Sequence, residues 1–175
     1  MKENIYSIIL NNQIIFENDR LITLFSEKRG RFNVIAKYAA RSLKRFAGRI
    51  HPFNIIQAEI NFKTKLAKLE DCHLETHFPH IHQNYNCLLL LGYLKKIIVL
   101  GTQEHQENTP LYYSLKNTLS HLNANTHDFL KIKEEFEIEF LINEGLWNKN
   151  SNKNSEIKKK LEDYCQKKIP NPQWI

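Results

Sequence analysis

The spacing of apolar residues changes once along this chain, near Pro79, and that switch limits what the chain can fold into. Before it, short segments alternate apolar and polar residues: Asn4–Asn11, Arg20–Ser26, Arg31–Lys37, Phe53–Phe62 and Leu66–Leu74. Alternation with a period of two places one face of a strand in a core and the other toward water. In Arg31–Lys37 the inner set is Phe32, Val34 and Ala36, and the outer set is Arg31, Asn33 and Ile35. After the switch, apolar residues recur at intervals of three and four, as an amphipathic helix requires. The fold class expected is therefore α+β, with a strand-built module followed by a helical one.

Five short strands with a long connection after the third suggest a small barrel of the OB type, although an open sheet shares that periodicity. Asn11-Asn12 reads as the first turn, Gly30 closes the second, and Tyr38–Gly48 reads as a loop or short helix that Gly48 can end. Residues 79–100 read as one helix ended by Gly101, with apolar residues on more than one side, and Thr102–Asn108 reads as a polar linker. Asn108-Thr109-Pro110 starts a second helix, because proline suits the first turn. A third begins near a Thr126 cap and ends around Gly145, and a last short one spans Glu156–Lys168. The Lys/Asn-rich stretch Asn148–Ser155 reads as a flexible linker. The boundaries expected are 1–76 for the OB-type barrel, 79–147 for the helical domain and 148–175 for a basic linker and final helix.

Several classes drop out on composition. The longest apolar run, Cys87–Leu91, is far short of the roughly 20 residues that a membrane span needs. Met1–Asn4 leads straight into a strand pattern, so no secretory signal is expected. Three widely spaced cysteines, Cys72, Cys87 and Cys165, fit reduced thiols in a cytoplasmic protein better than a disulfide framework. No Gly-x-Ser-x-Gly, Walker loop or HExxH is present, so no catalytic residues are expected. Glu134, Glu135, Glu137 and Glu139 alternate with Phe136, Ile138 and Phe140 and read as the solvated face of a helix. Cys72, His73, His77, His80, His82 and Cys87 invite a metal, but lack the tight spacings of a structural zinc site. Neither metal nor cofactor is expected.

Charge is where the chain is most uneven. Its net charge is +6, yet residues 28–51 alone carry +8 and no acid. Residues 1–27 carry −2, residues 52–148 carry −4, and the remainder +4. Eight bases concentrated in one window point to a polyanionic partner rather than to general solubility. The window runs from Lys28 to Arg49. Its candidate contact residues are Arg29, Arg31, Lys37, Tyr38, Arg41, Lys44, Arg45 and Arg49. Arginine's planar fork suits phosphate, lysine adds a mobile charge, and aromatic rings among them can stack on bases. Phe32 reads as core because it alternates with Val34, Tyr38 as the better stacking ring, and Phe46 fits either role.

The segment Asp19–Phe53 resembles the N-terminal domain of the RecO family. The ordered pieces are Asp19-Arg20-Leu21, Phe25-Ser26, Gly30-Arg31, Ala36-Lys37 with Arg41, and Gly48-Arg49-Ile50-His51-Pro52-Phe53. Later, Phe136-Glu137 and Leu141–Leu146 resemble that family's Phe-Glu helix. The resemblance covers residues 4–147. It implies an OB-fold followed by a helical domain, a bacterial cytoplasmic protein that joins the nucleoid during repair, and no enzymatic chemistry. It further implies binding of single- and double-stranded DNA, annealing of complementary strands, and contacts with RecR and the C-terminal tail of single-stranded-DNA-binding protein (SSB), helping to load RecA. Lys116, Lys131 and Lys133 are the candidates for receiving that acidic tail. Tyr38 stands where the family usually has glycine, and the Cys-x-x-Cys pairs that bind zinc in many members are absent. From the residues alone, other readings stay open: a generic OB-fold binder of nucleic acid, including RNA; a metal-dependent enzyme built on the histidines; and a scaffold whose basic loop meets an acidic protein.

Overall fold

The computed structural model describes residues 2–63, 66–124, 128–148 and 154–173, without the side chains of Leu43, Lys44, Asn154 and Ser155. The chain divides into two compact units, one of Met1–His77 with Glu104–Thr109, the other of Phe78–Gln103 with Pro110–Ile175.

The first unit holds five strands: β1 (Lys2–Ile14), β2 (Arg20–Ser26), β3 (Gly30–Ala36), β4 (Ile55–Asn61) and β5 (Ala67–Thr76). They close into a barrel in the order β1-β2-β3-β5-β4. Closure depends on β1, which pairs with β4 from Lys2 to Ile8 and with β2 from Ser7 to Ile14. Its register against β2 shifts between Ile9 and Asn11. Such a bulge bends a strand and lets it serve two neighbours. The Asn11-Asn12 turn expected from the sequence is thus a continuing strand beside that bulge, and the hairpin turn lies farther on, at residues 15–19. β3 and β5 are parallel at Val34–Ala67 and Ile35–Lys68. With the short helix α1 (Leu43–Phe46) between β3 and β4, this is the OB-fold topology.

The expected alternation along β3 is observed: Phe32, Val34 and Ala36 are buried, while Arg31, Asn33 and Ile35 are half-buried. Ile9, Leu24, Ile56, Ala58 and Leu69 complete the core with them, and Phe46 and Ile50 enter it from the β3–β4 connection. Phe46 is therefore core.

The second unit contains α2 (Pro79–Gln83), α3 (Tyr85–Gly101), α4 (Thr109–Asn123), α5 (Phe129–Asn143) and α6 (Asn154–Cys165). Where one helix was expected over 79–100 there are two. The Asn84 side chain accepts from the N–H groups of Asn86 and Cys87 at 2.9 and 3.3 Å. It thereby caps α3 and breaks the helix. α3 buries Leu90, Leu91, Leu94, Ile97 and Ile98, a wide apolar face that explains why its pattern looked apolar all round. Asp128 caps α5 by accepting from Lys131 N–H, whereas the expected Thr126 cap lies outside the described residues. The Asn148–Ser155 linker also falls largely outside them. α6 stops at Cys165, short of Lys168, and Gln166 follows in the left-handed region at φ +52°. No helix among the described residues is long and apolar enough to cross a membrane.

The polar stretch expected to link two helices does more than link. Glu104–Thr109 belongs to the barrel unit. His105 N–H donates to the Arg31 carbonyl at 2.8 Å, and the His105 ring stacks on Phe32 at 5.8 Å. β5 begins pairing with β3 only at Val34, so the N-terminal half of β3 has an open edge there. Glu104 bridges to that edge at Arg31.

Candidate nucleic-acid interface

The turn after β3 is built around Tyr38. Its backbone is left-handed, at φ +54°, the conformation that glycine takes without penalty. Three hydrogen bonds hold it there. Asp19 Oδ1 accepts from Tyr38 N–H at 2.9 Å, and the Tyr38 carbonyl accepts from the N–H groups of Arg41 and Ser42. Ser42 O then accepts from Phe46 N–H to start α1. The turn thus keeps the glycine-type geometry while carrying a full side chain, and the ring points outward with 61% of the residue exposed.

Seven of the eight candidate residues separate into two groups by how their side chains are engaged. Arg29, Arg31, Arg45 and Arg49 are tied down. Arg29 bonds both carboxylate oxygens of Glu3 and lies over the Phe62 ring at 4.6 Å. The Arg31 side chain is only 12% exposed and pairs with Glu104 at 2.9 Å, and Glu104 also accepts from Asn33. Arg45 donates to Ser42 Oγ and the Glu70 carbonyl, and covers the Phe46 ring at 5.0 Å. Arg49 donates to the carbonyls of Arg45 and Cys72, with Asp71 at 3.9 Å. These last two arginines clamp the β3–β4 connection onto β5. Lys37, Tyr38 and Arg41 form the second group. All three are exposed, and neither Lys37 nor Arg41 has a side-chain ion pair among the described residues. The Lys44 side chain lies outside the described set.

A window without acids in sequence is therefore not without acids in space, since Glu3, Asp71 and Glu104 reach it from elsewhere. The turn also meets a residue that sequence reasoning missed. Phe16, at the tip of the β1–β2 hairpin, is 68% exposed. Phe16, Glu17, Asn18, Asp19, Lys37 and Tyr38 line one cleft of about 340 Å³. The only sequence signal for Phe16 was its place between two strands, and the misplaced turn at Asn11 hid it.

The lysines considered for an acidic tail also part company. Lys116 and Lys131 are exposed, with Lys131 in a long 3.9 Å contact to Glu135. Lys133 is mostly buried, 2.8 Å from Glu137. Glu137, expected on the solvated face with its neighbours, is itself buried at 2% exposure. The reason is that Lys133 and the Tyr93 hydroxyl supply its partners inside the helical unit. Among the described residues, no group of three or more His, Cys, Asp and Glu is placed to hold a metal ion.

All three cysteines are buried. Burial pushes the Cys72 thiol up to about 11, against the opposing pull of Arg49. The unfolded chain loses that proton near the ordinary value of about 8.5. Stability contributed by this group is thus full below that pH and declines as pH rises toward about 11, because the unfolded state releases the proton first. Urea titrations at pH 8 and pH 10 should show this decline, and Cys72→Ala should lessen it.

A family model described as "Recombination protein O N terminal" matches residues 1–78, the five strands of the barrel. The DNA repair protein RecO of Caldanaerobacter subterraneus subsp. tengcongensis is 30% identical over 127 residues, which cover 71% of this chain and 51% of that protein. The RecO protein of Syntrophobacter fumaroxidans is 32% identical over 116 residues, covering 66% and 46%. That of Clostridium perfringens is 28% identical over 135 residues, covering 77% and 54%. The chain spans about half the length of the curated relatives it matches. With its barrel matched as a RecO N-terminal domain, and with alignments to RecO proteins longer than that barrel, the chain belongs to the RecO family.

Proposed function

We propose that this chain is a DNA repair and recombination mediator without chemistry of its own. It binds single- and double-stranded DNA, brings complementary strands together, and acts with RecR to load RecA onto SSB-coated DNA. The observation that carries this reading is the exposed Lys37–Tyr38–Arg41 turn on an OB barrel of the RecO family. An OB barrel offers nucleic acid a charged groove with stacking rings, and this turn supplies both kinds of group at one corner. In the helical unit, exposed Lys116 and Lys131 are the lysines that suit the acidic SSB tail. The setting is the bacterial cytoplasm, with association to the nucleoid during repair.

Phosphate contacts release counterions, so each one lost weakens binding and flattens its dependence on salt. Lys37→Ala with Arg41→Ala should lower affinity for every DNA sequence and reduce the slope of log K against log salt by about 1.4 on single strands. An unchanged slope in a fluorescence titration would count against this site. The function itself is tested by annealing complementary oligonucleotides, first bare and then coated with SSB. Failure to anneal bare strands sinks the mediator reading. Equal or tighter binding of RNA in competition would favour a general nucleic-acid binder instead.

A further inference from the structure

We propose that Phe16 and Tyr38 form an aromatic subsite that takes unpaired bases of single-stranded DNA, while Lys37 and Arg41 hold the adjoining phosphates. This rests on the DNA-binding reading above and adds to it a division between single-strand and duplex recognition.

The two rings are the most exposed of the barrel's described aromatic side chains, ahead of Tyr6 at 51%. Phe25, Phe32, Phe46 and Phe53 are buried, whereas Phe16 and Tyr38 are 68% and 61% exposed. Neither ring has an aromatic or cation–π partner among the described residues. Large apolar rings left open to water lose the benefit of burial, so a shared site for two of them points to a ligand that covers them.

The two rings are also held in place relative to each other. Tyr38 N–H donates to Asp19 Oδ1 at 2.9 Å, and Ala40 N–H donates to the Asn18 carbonyl at 3.2 Å. These bonds stitch the hairpin tip to the turn after β3, so the rings ride on one corner rather than on two independent loops. Tyr38 keeps its ring there at the cost of a left-handed backbone, where glycine would sit without strain. Strain of this kind marks positions where the side chain has a task.

Charge chooses the class of occupant. Glu17 and Asp19 share the cleft with Lys37. Phosphates are repelled by those carboxylates and must pass on the Lys37 and Arg41 side, which turns the bases toward the rings. The carboxylates can accept from the amino groups of cytosine or adenine, whose Watson–Crick edges single strands leave unpaired. In a duplex the base faces are already stacked on one another, so the rings gain nothing.

The test uses the full chain, fluorescein-labelled oligo(dT) and a labelled duplex of equal length, at low salt. Phe16→Ala with Tyr38→Gly should weaken oligo(dT) binding by about 10-fold or more, as loss of base stacking does. Duplex affinity should change by less than about twofold. Tyr38→Gly relieves the left-handed strain, so its melting temperature should not fall, and a folding defect cannot mimic the result. Tyr38→Phe should keep oligo(dT) affinity. Equal losses on both DNA forms, or no loss on either, would overturn the subsite while leaving the DNA reading in place. Wild-type protein that binds neither form would overturn the DNA reading first, and the subsite with it.

Discussion

Gly30→Ala should lower the stability of the barrel by about 3 kcal/mol or more, the largest loss expected from adding a single carbon. Two effects combine at this position. Its backbone is left-handed at φ +58°, which costs an L-residue about 1–2 kcal/mol. A Cβ there would also stand 1.7 Å from the Gln106 carbonyl oxygen and 2.7 Å from its carbon. That contact is backbone, so no rotamer relieves it and residues 104–109 must move away. Moving them breaks the His105 N–H bond to the Arg31 carbonyl, the Glu104 contacts to Arg31 and Asn33, and the Thr109 hydroxyl bond to the Glu27 carbonyl. Arg31 would then lose the carboxylate facing its nearly buried side chain, a loss of about 1–3 kcal/mol on its own. Gly48→Ala is the control. Gly48 is left-handed too, at φ +70°, but nothing lies within 4 Å of its added carbon. It should lose only the conformational part, about 1 kcal/mol. Urea denaturation of the two variants separates the contributions, and equal losses would show that the close approach of Gln106 is unimportant.

Gly30 also shows where sequence reading stops. It was legible as a turn glycine, since it separates two alternating segments. Its second duty is set by a carbonyl 76 positions away, which no local pattern records. The same division runs through the basic window. Alternation identified Phe32 as core, because burial on one face of a strand is a local property with a fixed period. The partners of Arg29 and Arg31 lie 26 and 73 positions away, so their neutralisation by Glu3 and Glu104 was invisible. Counting acids inside the window overstated the charge available to a polyanion. Tyr38 was recognised both as the better stacking ring and as a substitute for glycine, and its left-handed φ shows why glycine suits that position. The helix break at Asn84 was more nearly readable, because asparagine before an apolar run is a cap signal. The apolar continuity across it outweighed that signal.

Replacing Lys133 by methionine should cost the helical unit about 3 kcal/mol, although lysine is among the residues most readily exchanged on a protein surface. The Lys133 ammonium is 2.8 Å from the Glu137 carboxylate and lies 5.2 Å from the Tyr93 ring centre. Glu137 is buried, and its other partner is the Tyr93 hydroxyl, which donates to it. Burial, reinforced by Glu137, pushes the Tyr93 phenol up, so it remains a donor throughout the physiological range. Removing the ammonium leaves a carboxylate buried with one neutral donor, and a lone buried charge costs far more than the pair it came from. Glu137→Gln in the Lys133→Met background should therefore recover part of the loss, since an amide carbonyl can still accept from Tyr93 without carrying charge. A double-mutant cycle in urea should give a coupling between the two positions of about 1–3 kcal/mol. Independent, additive losses would mean that the pair is solvated despite its burial. The cycle also bears on the proposed contact with an acidic SSB tail, because Lys133 spends its charge on Glu137. Affinity for an acidic SSB-tail peptide should fall with Lys116→Ala and Lys131→Ala, and Lys133→Met should affect it only in proportion to the unfolded fraction.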